Sequence, residues 1–599
     1  MAPFAKSVAV LTGMAPKPSE ANAQKITKFL GADVERVPVA ALRSIESLRE
    51  ALPPCSAVIV HIDTLAELAE SLNTGANGLL EIAHHSFHVF VYGCDPNKRY
   101  EPILKTLSAG TLVGFKELPT TDLSFSVSRE YRQQCGPFSG LKFPKAEPGR
   151  DAGFVESEPS DKKDVFIRAG GQAFFVRVKL GASDMYFAAC GELGNLEEEI
   201  DSELGLLSWF SMLAPIIIFL RSALGDQLWH SDNPRACFII DDPLLKRRYG
   251  FLNYSRLLET MEEQKFCASI AFIPWNYRRS HKEIVDLFAS APASLSLCTH
   301  GCDHTRGEFV AASYELLSHK AQLALERMRV HQERYGLRFD EVMVFPQGLF
   351  SCEALKALGD CGYLAAVNTS LCASDMVRPL TLGEIVDVAV TRFGQMPLFV
   401  RHYPRDVAEF AFDLFLGKPA LLVEHHGYFR NGYEELRTFV SQVNQLDERL
   451  EWQNPATICS QACLQKATPA GEVRVRFYTN RFRLTNTGTN VRTYYLEKRW
   501  AVDGPWPGAK WNGRECPVEL KDGTLSITVT LAPGESAEIS VVPAGQEKPR
   551  ARAWKPSNGH NTRVLVRRIL SEIRDDYVET NSLLNKLLSN ARKEKQFAR

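Results

Sequence analysis

What this sequence lacks narrows its function first. No C-x-x-C pair occurs, and the 14 cysteines are scattered along 599 residues. Neither a disulfide scaffold nor a redox dithiol is indicated, and a reducing compartment is expected. There is no G-x-G-x-x-G and no P-loop, so a nucleotide role has no support. Net charge is nearly balanced at −1, which gives no global attraction to nucleic acid or an acidic membrane. The N-terminus, Met1-Ala2-Pro3-Phe4-Ala5-Lys6-Ser7, runs straight into Val8-Ala9-Val10-Leu11. That is too short for a signal h-region and reads as a first strand, so a cytoplasmic protein is expected. No apolar run reaches the ~20 residues of an integral membrane span. The nearest, Leu204 to Leu220, contains Ser208, Ser211 and Pro215 and reads as a buried helix. The expected partner is small or carbohydrate-like.

What is present is enough for several cores, since 45% of residues are hydrophobic and a single core stops growing well short of this length. Up to residue 125, short apolar runs (Val8–Leu11, Ala57–His61, His88–Tyr92) alternate with helical stretches, predicting an N-terminal α/β layer domain. Residues 126–200 form a mixed β segment. Residues 201–465 repeat strand-like runs with helices between them: Ala236–Ile240, Ser269–Ile273, Leu295–Cys298, Glu341–Phe345, Leu364–Asn368, Ile385–Val390 and Ala420–Val423. Repeated βα units predict a parallel sheet, and this many predict a distorted (β/α) barrel of about seven strands. The fold class is therefore α/β. Residues 466–545 alternate at period two, as in Glu472-Val473-Arg474-Val475-Arg476-Phe477, and predict a β-sandwich-like module. Residues 546–599 combine a polar linker with a long amphipathic helix, Thr562 to Phe597. Its apolar stripe is Val566, Ile569, Ile573, Tyr577, Leu584 and Leu587. That stripe must dock on this chain, on a partner, or on a second copy in a homo-oligomer.

Two motifs carry chemistry. Phe238-Ile239-Ile240-Asp241-Asp242-Pro243 delivers adjacent carboxylates at a strand end, and Leu295–Cys298 leads into His300-Gly301-Cys302-Asp303-His304. One Asp and two His suit a divalent metal, zinc on ligand grounds, with positions open for water and substrate. The other Asp lies where a general base is needed. A rival set exists: Cys298, His300, Cys302 and His304 as ligands of a structural zinc, though such tight spacing strains tetrahedral geometry and leaves Asp242 idle. Pro346-Gln347-Gly348 ends another strand and His425-His426 the last, where barrel sites gather. A buried structural role is the alternative for those histidines. Trp275, Tyr277, Phe350 and Tyr428 fall past strand ends and suit either a sugar-stacking rim or packing.

These residues resemble the polysaccharide deacetylase (NodB-homology) family of the glycoside hydrolase/deacetylase superfamily, over less than half the chain. The resemblance implies Asp241 as base, Asp242, His300 and His304 as metal ligands, and His425 or His426 as general acid in Leu422-Val423-Glu424-His425-His426. It aligns Val344-Phe345-Pro346-Gln347-Gly348 with the family's third motif. Val344 stands where that family usually has an Arg partner for the base, and the family's Asp/Trp motif has no convincing match. The activity implied is metal-dependent removal of acetyl groups from an N- or O-acetylated sugar or glycan. Two other classes stay open. A glycoside hydrolase of the same superfamily would need a second carboxyl group. A non-catalytic glycan-binding or assembly protein would suit the missing Arg.

Overall fold

The computed structural model describes residues 7–581 apart from 53–56, 73–74, 86–87, 94–95, 120–122, 145–150, 158–161, 201–204, 311–312, 394, 469, 502–505 and 544–555. Val8–Thr12, Ala57–His61 and His88–Tyr92 are near-continuous apolar runs because both their faces are covered, as in parallel sheets. They pair in parallel. The sheet then continues through Ser183–Ala188, which lies parallel to His88–Tyr92, into the antiparallel strands Gln172–Leu180 and Lys163–Ala169. The expected break between 1–125 and 126–200 is therefore absent: one eleven-stranded sheet takes strands from both.

The apolar helix Phe210–Leu224 packs between this sheet and the barrel helix Val407–Leu416, where Arg221 donates to the Phe415 carbonyl at 2.6 Å. Phe219 stacks on Phe90 at 5.1 Å and Phe210 on Phe143 at 4.0 Å. Among the described residues one helix, Leu206–Gln227, has the length and apolarity of a membrane span, and it is largely buried here.

Seven parallel strands form the barrel: Arg235–Asp241, Ala268–Phe272, Leu295–His300, Asp340–Val344, Ala365–Asn368, Leu398–Val400 and Ala420–His425. The first pairs with both the second and the seventh. Closure comes just past the sixth, where His402 N–H donates to the Leu421 carbonyl at 2.9 Å and its own carbonyl accepts from Val423 N–H at 2.9 Å. Alternate residues, among them Cys237, Ile239, Cys298, Val344, Phe399 and Leu421, fill the interior.

The sixth strand corrects an expectation. Ile385–Val390 is not that strand, because Thr381 and Glu384 form a capping box that starts a helix at Leu382–Val386. The strand comes a dozen residues later. Residues beyond the barrel form two sheets, of five and four strands, closed on a shared core that includes Phe477, Leu496, Ile527 and Ile539. This is the expected sandwich.

The C-terminal helix runs Asn558–Ile573 and continues as a π turn over Arg574–Val578. It lies back on this chain, but by the face opposite to the expected one. Val566, Ile569, Ile573 and Tyr577 are exposed, while Val564, Arg568 and Asp575 are buried. Leu584 and Leu587 fall outside the described residues.

Candidate metal centre

The first barrel strand alternates, so Asp241 follows Cys237 and Ile239 toward the barrel interior. The next residue breaks the alternation. Asp242 has φ 82°, a left-handed conformation that is costly for a side chain with a Cβ and that clusters at functional sites. The turn brings its carboxylate to two histidines: Oδ1 lies 2.9 Å from His304 Nε2 and 3.4 Å from His300 Nε2.

His300 ends the third strand. Its Nδ1 lies 3.0 Å from the Val344 carbonyl, which can only accept, so Nδ1 carries the proton and Nε2 presents its lone pair. His304 reaches back through its own left-handed φ of 55°. The loop between them is held by two buried side chains: Arg327 donates to Asp303 Oδ1 at 2.6 Å and to the Cys302 carbonyl at 3.3 Å, and Glu308 gathers the backbone amides. Glu308, 2% exposed, accepts from the backbone N–H groups of Cys302, Asp303 and His304 at 3.0, 2.8 and 3.1 Å. Gly301 (φ 63°) permits the turn, since a Cβ there would stand 2.4 Å from Pro346 and 2.6 Å from Glu308 Oε2. Pro346 of Pro-Gln-Gly thus buttresses the ligand loop.

The ligand atoms of Asp242, His300 and His304 all lie within 4.8 Å of one another. Asp242 Oδ1 is buried and makes no hydrogen bond despite its two imidazole neighbours. Nitrogen lone pairs and a carboxylate oxygen converging without a hydrogen-bond geometry are the donor set a divalent cation takes. The rival set does not assemble: Cys298 faces the barrel interior, and Cys302 Sγ lies 3.2 Å from Arg327 Nη1. Burial alone would raise the Asp242 carboxyl, but His304 and His300 outweigh it and hold it well below the usual carboxylate range.

Asp241 has a partner that the sequence reading missed. Arg401, just past the sixth strand, donates Nη1 and Nη2 to Oδ1 and Oδ2 of Asp241, each at 2.7 Å. The side chains are 3% and 4% exposed, so this is a buried, bidentate pair. Burial pushes the Asp241 carboxyl up, and Arg401, with His300 and His425, more than offsets it, leaving Asp241 ionised below its ordinary range. The guanidinium missing at Val344 is supplied from another strand.

The two adjacent histidines separate. His425 sits opposite Asp241 in the strand register and adds to the positive field on it. His426 turns away and stacks on Phe251 at 6.3 Å, meets Tyr249 edge-on, and lies 3.6 Å from Asp575 of the C-terminal helix. Gly250 (φ 56°) makes room, because a Cβ there would stand 2.3 Å from His426 Nδ1. Among the candidate rim aromatics, Phe350 is core at 1% exposure, and Trp275 is half-buried over the Arg327 guanidinium at 5.0 Å.

No protein-family model matches this sequence, and no curated protein matches it. Solved structures do align. Agd3, described as a novel carbohydrate deacetylase, aligns at 10% identity and TM-score 0.47 over 90% of this chain and 98% of that one. A family 4 carbohydrate esterase from Streptomyces lividans, in complex with acetate, aligns at 11% identity and TM-score 0.23 over 37% of this chain and 92% of that one. A mutant of BA3943, a CE4 family pseudoenzyme with restored activity, aligns at 13% identity and TM-score 0.25, covering 38% and 68%.

Proposed function

We propose that this chain is a divergent polysaccharide deacetylase, a metal-dependent hydrolase that removes acetyl groups from an N- or O-acetylated sugar or glycan. The observation that carries the reading is the pairing, at one barrel mouth, of a three-ligand cluster (Asp242, His300, His304) with an Arg-clamped carboxylate one residue away. A divalent cation, zinc by ligand type, would be held by those three residues and would supply a Lewis acid that polarises an acyl carbonyl and acidifies water.

The chain's own groups then divide the proton work. Asp241 is ionised and fixed by Arg401, so it is placed to accept the proton of attacking water as general base. Arg401 keeps that carboxylate oriented and cannot itself give up a proton. His425, opposite Asp241 in register, is placed to protonate the departing amine or alcohol oxygen. No Ser or Cys nucleophile is required, since water supplies the new C–O bond. The presence of Arg401 also removes the reason to favour a non-catalytic binder, because the base retains its cation.

The test is acetate release from acetylated glycans by the intact protein and by Asp241→Asn. The intact protein should release acetate without generating new reducing ends, and the variant should keep metal but release none. New reducing ends without acetate would assign glycosidic cleavage instead, and no turnover of any acetylated sugar would move the binding-protein reading ahead.

A further inference from the structure

The C-terminal helix crosses the mouth of the barrel. Its contacts run along the loops that follow four adjacent strands, the third, second, first and seventh, which carry all the candidate site residues except Arg401. His560 Nε2 meets Asp303 Oδ2 at 2.8 Å, between the two histidine ligands in sequence. Glu572 pairs with Arg279 at 2.6 Å and Lys246 at 2.9 Å, and Asp576 pairs with Lys246 and accepts from Gly250 N–H at 2.8 Å. Tyr249 O–H donates to Asp575 at 2.6 Å, and the Arg430 guanidinium donates to the Glu579 carbonyl at 3.3 Å.

The chemistry of this contact is unusual for a docked helix. Its inward face is polar or charged except for Val564, and its apolar residues point outward: Leu565, Val566, Ile569, Leu570 and Ile573 are 43–61% exposed. Little apolar area holds the helix down. The ion pairs that hold it join side chains 15–38% exposed, with Asp575 buried beside them. Pairs that reach solvent weaken with salt, and an element with so few buried apolar contacts opens more readily than a core element. The π turn at Arg574–Val578 holds Asp575 and Asp576, and such turns recur at functional sites. Beneath the helix the ligand side chains of His300, His304 and Asp242 are only 2%, 12% and 22% exposed.

We propose that Asn558–Val578 is an autoinhibitory lid on the metal centre, latched by Glu572, Asp575 and Asp576, and that the glycan enters only when it lifts. The substrate part rests on the deacetylase reading; the lid itself does not.

The test uses the full chain carrying E572A and D576A, neither of which is a site residue. After chelator treatment, intact and variant proteins are exposed to diethylpyrocarbonate, and labelling of each histidine is followed by mass spectrometry. Labelling of His304 and His425 should accelerate about five-fold or more in the variant, which loses two latch residues and their four contacts, while His230 at the far end of the barrel is unchanged. Raising salt should bring the intact protein toward the variant. Acetate release from polymeric glycan should rise in parallel. Unchanged labelling, with hydrogen exchange showing the helix released, would overturn the lid. Faster labelling with slower turnover would also overturn it, because the helix would then complete the active cleft. Faster labelling with no turnover in either protein would leave the lid standing and defeat the deacetylase reading.

Discussion

Arg401 decides how Asp241 behaves. A carboxylate this buried would ordinarily take up a proton, and the bidentate guanidinium prevents it. Replacing Arg401 with Met should therefore raise the Asp241 pKa. The base must be ionised, so the acid limb of the kcat/KM profile should move to higher pH while bound metal is unchanged. Losing one partner of a buried pair also costs stability, about 3–5 kcal/mol before the orphaned carboxyl protonates. A pH–rate profile with an unmoved acid limb would detach Arg401 from the base. The two histidines give a second residue-scale prediction. His425→Ala should lower kcat by ~10²-fold or more, the usual contribution of a general acid. His426→Ala should spare the chemistry but loosen the helix that Asp575 tethers to it. Equal losses of kcat in both, measured with metal content held equal, would contradict that division.

At the scale of elements, the loop from His300 to His304 depends on Glu308. Three consecutive amides converge on its carboxylate, and the last belongs to a ligand in a left-handed conformation. Glu308→Ala should leave the barrel folded but weaken metal binding ~10–100-fold, as loss of an outer partner of a ligand does. Titration of the apoprotein with cobalt and its visible spectrum would measure this; an unchanged affinity would make the three bonds ornamental to the site.

The same scale explains what the sequence discloses. Asp241-Asp242 and His300-x-x-x-His304 are legible because each is contiguous and ends a run of strand length. Arg401 is not, because its place depends on which strand closes the barrel. Ile385–Val390 resembles a buried strand by composition, yet Thr381 and Glu384 start a helix there. With the sixth strand misplaced, its arginine could not be matched to Asp241. Strand parity, invisible until the register is known, separates His425 from His426. The C-terminal stripe shows the converse limit: periodicity identifies an apolar face but not whether that face is buried. Here the polar side of the helix meets the barrel and the apolar stripe faces outward.

Across the whole molecule, acid sensitivity should come from histidines kept neutral in separate units. Burial, helped by Lys17, lowers His61 in the N-terminal sheet from 6.5 to about 4, and burial lowers His331 beside the barrel from 6.5 to about 4. In the unfolded chain both bind protons below about 6.5, and in the folded chain only below about 4. The unfolded state therefore binds more protons within that window, and stability falls as pH drops through it. Tm should decline between pH 6.5 and 4, and His331→Gln should flatten part of that decline; an identical slope in the variant would exclude His331. The central claim concerns Asp242, His300 and His304, and its most direct measurement is the metal content of full-length protein purified without added metal, by elemental mass spectrometry. Close to one divalent ion per chain is expected, lost in His300→Ala and retained in Cys298→Ala. Full metal in His300→Ala with loss in Cys298→Ala, or no bound metal in the intact protein, would contradict it.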